Sequence, residues 1–113
     1  MSRRFAALLL ATAVSAAFAA GCGGMGLGDP VATNRVSLAK SYRFDPGVIT
    51  IKAGTSVTWT NNDNFTHTVK VEDGPDHKIE RGKSVTIRFP TAGTYKYVCT
   101  LHSQDMRGEV IVK

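Results

Sequence analysis

The sequence predicts an all-β fold, a Greek-key sandwich or barrel of about eight short strands. Three observations lead there. From Asn34 onward apolar residues recur with period two in short runs enriched in Val, Ile, Thr and Tyr. Gly, Pro, Asn and Asp separate these runs, and no helical period of useful length intervenes. The chain has 113 residues, and its apolar amino-terminal run reads as a leader, which leaves room for one hydrophobic core.

Each element follows from this pattern. Arg35 to Ala39 alternates Val36 and Leu38 against polar neighbours, and Tyr42 to Phe44 is expected to continue that strand. Asp45-Pro46-Gly47 supplies a turn, with Pro46 fixing φ and Gly47 permitting a positive one. Val48 to Lys52 is a strand, Ala53-Gly54-Thr55 a turn, and Ser56 to Thr60 a strand with Val57 and Trp59 inward. Asn61 to Asn64 reads as a loop, after which Phe65 to Val71 places His67, Val69 and Val71 on one face. The polar stretch Glu72 to Arg81 reads as a connection. Ser84 to Phe89, Thr94 to Cys99 and Gly108 to Val112 complete the strands, with Thr100 to Arg107 as the last loop.

The amino terminus reads as an export signal. A basic Met1-Ser2-Arg3-Arg4 precedes the apolar run Phe5 to Ala20, which is shorter than the roughly 20 residues of a spanning helix. Ala19-Ala20-Gly21-Cys22 resembles a lipobox, although Ala19 stands where such boxes usually carry Leu. Ala17-Phe18-Ala19 also suits ordinary cleavage after Ala19. An exposed unpaired Cys22 would be a liability in an oxidising compartment, and the Gly-rich segment after it suits a tether. The lipoprotein is therefore the preferred reading and a soluble secreted form the alternative. The expected organisation is a signal peptide over 1–21, a tether over 22–33 and one folded domain over 34–113. The protein is placed on the periplasmic or cell-surface side, anchored through lipid on Cys22.

The formal charge is +5, and without Arg3 and Arg4 twelve bases against nine acids leave +3. The bases are scattered singly, which argues against nucleic acid as a partner. Only Cys22 and Cys99 are present. With Cys22 acylated no disulfide framework exists, so Cys99 requires another explanation.

That explanation lies in Cys99-Thr100-Leu101-His102-Ser103-Gln104-Asp105-Met106, where a thiol, an imidazole and a thioether crowd one strand end and its loop. Separately, Cys99 could be an inert buried thiol, His67 a core histidine, Met106 a gap filler and His102 a loop residue. Together the soft donors match what copper accepts in both oxidation states, and His67 supplies the second nitrogen from the other suitably placed strand end. Two His and one Cys with a long axial Met form the donor set of blue copper sites. Zinc would take the two His and the Cys but gains nothing from Met106. His77 and Gln104 read as solvated.

At these residues the chain resembles the cupredoxins. The resemblance runs from about Val36 to the end, through Phe44-Asp45-Pro46, Ile49 to Gly54, Val57 to Asn61, His67-Thr68-Val69, Gly93 to His102 and Met106 to Val110. It implies a Greek-key barrel or sandwich of eight strands and single-electron carriage by one mononuclear type 1 copper cycling between Cu(II) and Cu(I). Cys99 would be the thiolate ligand, His67 and His102 the equatorial nitrogens and Met106 the weak axial donor. It also implies a monomer that meets a redox protein, such as a c-type cytochrome or membrane oxidoreductase, at the His102 edge beside Leu101 and Phe65. The Cys-to-His spacing matches plastocyanin-like and amicyanin-like members, whereas three residues between His and Met resemble azurin, so the subfamily stays open. Leu101 replaces the usual Pro before the His, and Thr68 replaces the frequent Asn after the first His. Thr68 is expected to tie the two ligand segments by a hydroxyl bond to the Thr100 backbone.

Enzymatic readings fit less well. A binuclear copper centre needs a second Cys in the loop, and a multicopper oxidase needs His on both sides of the Cys, where this chain has Val98 and Thr100. No oxyanion-hole or orienting acid accompanies Cys99 and His102 for nucleophilic catalysis. The alternative to electron carriage is copper sequestration or delivery, or redox sensing, by the same site.

Overall fold

Short β-rich runs cut by turn residues become ten strands among the residues that the computed structural model describes, 27–39 and 42–113. They are β1 (Val31–Ala32), β2 (Arg35–Ala39), β3 (Arg43–Asp45), β4 (Val48–Ile51), β5 (Thr55–Asn61), β6 (His67–Val71), β7 (Asp76–Ile79), β8 (Ser84–Phe89), β9 (Gly93–Val98) and β10 (Arg107–Val112). One sheet runs β1-β4-β10-β9-β6-β7 and the other β3-β2-β5-β8. The run expected as a leader lies outside the described residues, as do Cys22, Gly23, Gly24 and Gly26, whereas Gly28 is described. The sheet reaches back to Val31, inside the segment expected as tether. Among the described residues no helix is long and apolar enough to cross a membrane.

The chain changes sheet where its sequence breaks. Asp45-Pro46-Gly47 carries it from β3 to β4, the run Asn62 to Thr66 from β5 to β6, Glu80 to Lys83 from β7 to β8, and Pro90 to Ala92 from β8 to β9. Inward alternation then fills one core. Val57, Trp59 and Val69 are completely buried, Tyr97 is nearly so, and Cys99 and Met106 belong to the same cluster. Each large apolar side chain buried in this way contributes about 2–3 kcal/mol.

Three local expectations are corrected. Tyr42 to Phe44 does not continue β2. Tyr42 takes φ 55°, the chain reverses, and β3 pairs antiparallel with β2 with Leu38 opposite Phe44. The Glu72 to Arg81 connection contains β7, which pairs with β6 and buries Ile79. Gly47 is needed for space rather than for a positive φ, since a Cβ there would collide with the Leu27 carbonyl.

Tyr97 and Gly108 close the base of the last loop. They face each other across β9 and β10, and a Cβ at Gly108 would meet the tip of the Tyr97 ring. The glycine thus lets an aromatic lie flat on the neighbouring strand two residues before Cys99. Burial pushes the Tyr97 phenol up, an effect that the neighbouring Trp59 indole only partly offsets. The phenol oxygen therefore stays protonated beneath the loop.

Candidate metal centre

His67 opens β6 and Cys99 directly follows β9, so paired elements of one sheet bring them together. Both are fully buried, and His67 Nδ1 lies 3.8 Å from Cys99 Sγ. With metal–nitrogen and metal–sulfur bonds of about 2.0 and 2.3 Å, that separation suits one ion bound by both atoms at about 120°, a trigonal angle. The donor pair therefore fits a small soft metal ion.

The far side of the imidazole is held by Asp63, whose Oδ2 is 2.9 Å from His67 Nε2. A carboxylate accepting the Nε2 proton leaves the Nδ1 lone pair facing the thiol, the arrangement by which outer carboxylates orient histidine ligands. Asp63 is itself almost buried, and its loop is built around Asn61. The Asn61 side-chain amide donates to the Phe65 carbonyl at 2.7 Å and the Ile79 carbonyl at 2.9 Å, while its Oδ1 accepts the Asp63 N–H at 2.9 Å.

The last loop explains the spacing of its donors. Thr100–His102 forms a 3-10 turn in which His102 N–H donates to the Cys99 carbonyl at 3.0 Å. Met106 N–H then donates to the His102 carbonyl at 2.9 Å, and Cys99 N–H to the Met106 carbonyl at 3.0 Å. One three-residue step and one four-residue step thus return the chain to where it began. Met106 is fully buried against the core and His102 half-buried at the rim. The Tyr42 ring packs on His102 at 4.2 Å between centroids, and the His67 and His102 rings are 5.8 Å apart. Among the described residues no three His, Cys, Asp or Glu side chains form a ready-made cage. The donors set face to face are His67 and Cys99, with Met106 buried in the same core cluster as Cys99 and His102 against Tyr42.

Hydrogen bonds around the sulfur complete the site. Thr68 N–H donates to Cys99 Sγ at 3.3 Å, and the Thr68 hydroxyl lies 3.7 Å from the same atom. The expected tie is present, with Thr100 N–H donating to Thr68 Oγ1 at 2.7 Å. Gln104 is exposed as expected, whereas His77 is half-buried on β7 opposite Val69. Sequence reasoning missed Asn61, Asp63, Asp76 and Tyr42 as neighbours of the site. The first two stand in a run of polar residues that reads as a solvated loop.

The model of the cupredoxin-like domain matches residues 5–112. The chain belongs to the cupredoxin-like family. Amicyanin-alpha of Methylorubrum extorquens is 34% identical over 116 residues, covering 96% of each chain. Amicyanin of Paracoccus denitrificans is 36% identical over 87 residues, 69% of this chain and 63% of that one. A solved amicyanin variant in its Cu(I) form superposes with TM-score 0.65 at 29% identity, covering 70% of this chain and 80% of the other. As a cupredoxin the chain takes one type 1 copper as cofactor, and His67, Cys99 and Met106 are positioned as ligands.

Proposed function

We propose that this cupredoxin is a single-electron carrier whose copper is held by His67, Cys99, His102 and Met106. It would shuttle electrons between exported or membrane-bound redox partners. The observation that carries the reading is the fixed His67–Cys99 pair, both side chains fully buried and each anchored by hydrogen bonds to neighbouring protein groups. Copper bound there supplies a one-electron couple. Cu(II) and Cu(I) prefer different geometries, so donors locked in a packed core limit the rearrangement that accompanies each transfer.

The same residues separate interior from exit. Asp63 orients His67, the Thr68 N–H supports the sulfur, and the surrounding core excludes water. Of the four, His102 alone reaches the rim, where the Tyr42 ring packs on it and Leu101 precedes it in the chain, and Phe65, Leu101 and Tyr42 are 59%, 56% and 41% exposed. Exposed apolar side chains of that kind suit brief docking of a redox protein, such as a c-type cytochrome or a membrane oxidoreductase, with the His102 edge as the electron path. The amicyanin and plastocyanin relatives support export, and the lipobox-like Cys22 supports attachment to a membrane surface.

Electron self-exchange between the Cu(I) and Cu(II) forms tests this reading. Fast exchange, seen as line broadening when a little Cu(II) protein is added to Cu(I) protein, is the expected result. Slow exchange with ready release of copper to a chelator would instead identify a delivery or sequestration protein.

A further inference from the structure

Beyond the ligands runs a chain of hydroxyls whose direction is set by counting protons. Thr100 Oγ1 donates to Asp76 Oδ2 at 2.8 Å, and Thr100 Oγ1 and Thr68 Oγ1 are also 2.8 Å apart. The Thr68 hydroxyl lies 3.7 Å from Cys99 Sγ. Each threonine has one hydroxyl proton, and an ionised carboxylate has none to give. With the Thr100 proton committed to Asp76, the bond between the two threonines must run from Thr68 to Thr100. The Thr68 proton is thereby turned away from the sulfur although its oxygen stands within hydrogen-bond reach of it, and of the two Thr68 donors only the backbone N–H, at 3.3 Å, is left to serve it.

We propose that Asp76, on β7 and exposed, is a positioning residue that tunes the copper site through Thr100 and Thr68 by keeping the Thr68 hydroxyl off the Cys99 sulfur. It touches no ligand. Without its carboxylate, the Thr100 hydroxyl is free to donate to Thr68, and the Thr68 proton can swing to the sulfur. A second hydrogen bond there withdraws charge from the thiolate and favours Cu(I), because bonding around the cysteine sulfur is one of the levers on the potential of such sites. This inference rests on the proposed copper site.

The test uses the copper-loaded protein with Asp76→Ala, Thr100→Val, Thr100→Ser and the Asp76→Ala/Thr100→Val double variant. Asp76 and Thr100 are both exposed, so these changes leave the core intact. Asp76→Ala and Thr100→Val are each expected to raise the midpoint potential. The rise corresponds to about a fivefold shift toward Cu(I) at fixed poise, or ~40 mV at 59 mV per decade. Both should lower the copper–sulfur stretching frequency in resonance Raman spectra. Thr100→Ser keeps the hydroxyl and should match the parent, and the double variant should move no further than Thr100→Val alone. A direct charge effect of Asp76 predicts the opposite pattern, with Thr100→Val silent and the Asp76→Ala shift undiminished in the double variant. That pattern, or unchanged potentials throughout, would overturn the relay. A parent protein without a thiolate–copper absorption band would instead refute the copper site itself, which keeps the two failures apart.

Discussion

The Asn61→Ala protein is expected to lose about 3 kcal/mol of stability, which for a domain of this size lowers the melting temperature by roughly 15 °C. Asn61 is fully buried and makes three side-chain hydrogen bonds, two as donor to the Phe65 and Ile79 carbonyls and one as acceptor from the Asp63 N–H. Truncation strands groups that water reaches poorly, and each stranded group costs about 1–3 kcal/mol before any water enters the gap. Asn61→Asp should be as damaging for a different reason. It keeps the acceptor for Asp63 but points a carboxylate, which cannot donate, at two carbonyl oxygens. Thermal melts of the metal-free proteins check both, and an Asn61→Asp protein as stable as the parent would contradict the assignment. The loss would also loosen the Asp63 side chain that orients His67, so copper affinity should fall alongside stability.

Copper-loaded Cys99→Ser is expected to lose the intense visible absorption entirely while the metal-free protein stays folded. Serine fits the space of the thiol and can accept the Thr68 N–H that now reaches Sγ at 3.3 Å, so the core stays filled and its donor stays paired. Its oxygen, however, is a harder and far more basic donor than a thiolate, a poor match for Cu(I) and without the sulfur-to-copper charge transfer that colours the site. The expected pattern is a nearly unchanged melting temperature without metal together with weak, colourless copper binding. Unfolding of the metal-free variant would assign Cys99 a packing role instead.

Much of this is legible in the sequence. Trp59 and Val57 declare an inward face because they alternate with threonines and serines, and β5 follows that pattern. The tie from Thr68 to Thr100 could be anticipated because a hydroxyl beside one ligand segment has a backbone N–H to meet in the other. What stayed hidden has a common cause, that composition does not reveal which way a polar side chain points. Asn61 and Asp63 belong to a run that reads as solvated, yet both turn inward to satisfy carbonyls and an imidazole. In β7 only Ile79 packs into the core, so Asp76-His77-Lys78 reads as a connection although it completes a sheet edge and brings Asp76 to Thr100. Tyr42 looks like strand because its neighbours alternate, but with φ 55° it stands outside both β2 and β3, and its ring packs on His102.

The most direct measurement is the visible absorption spectrum of the purified chain as one equivalent of Cu(II) is added. An intense thiolate-to-copper band in the red is expected to grow linearly, stop at one copper per chain and bleach on one-electron reduction. A pale spectrum typical of copper bound only to nitrogen and oxygen, in a folded protein with Cys99 reduced, would contradict it.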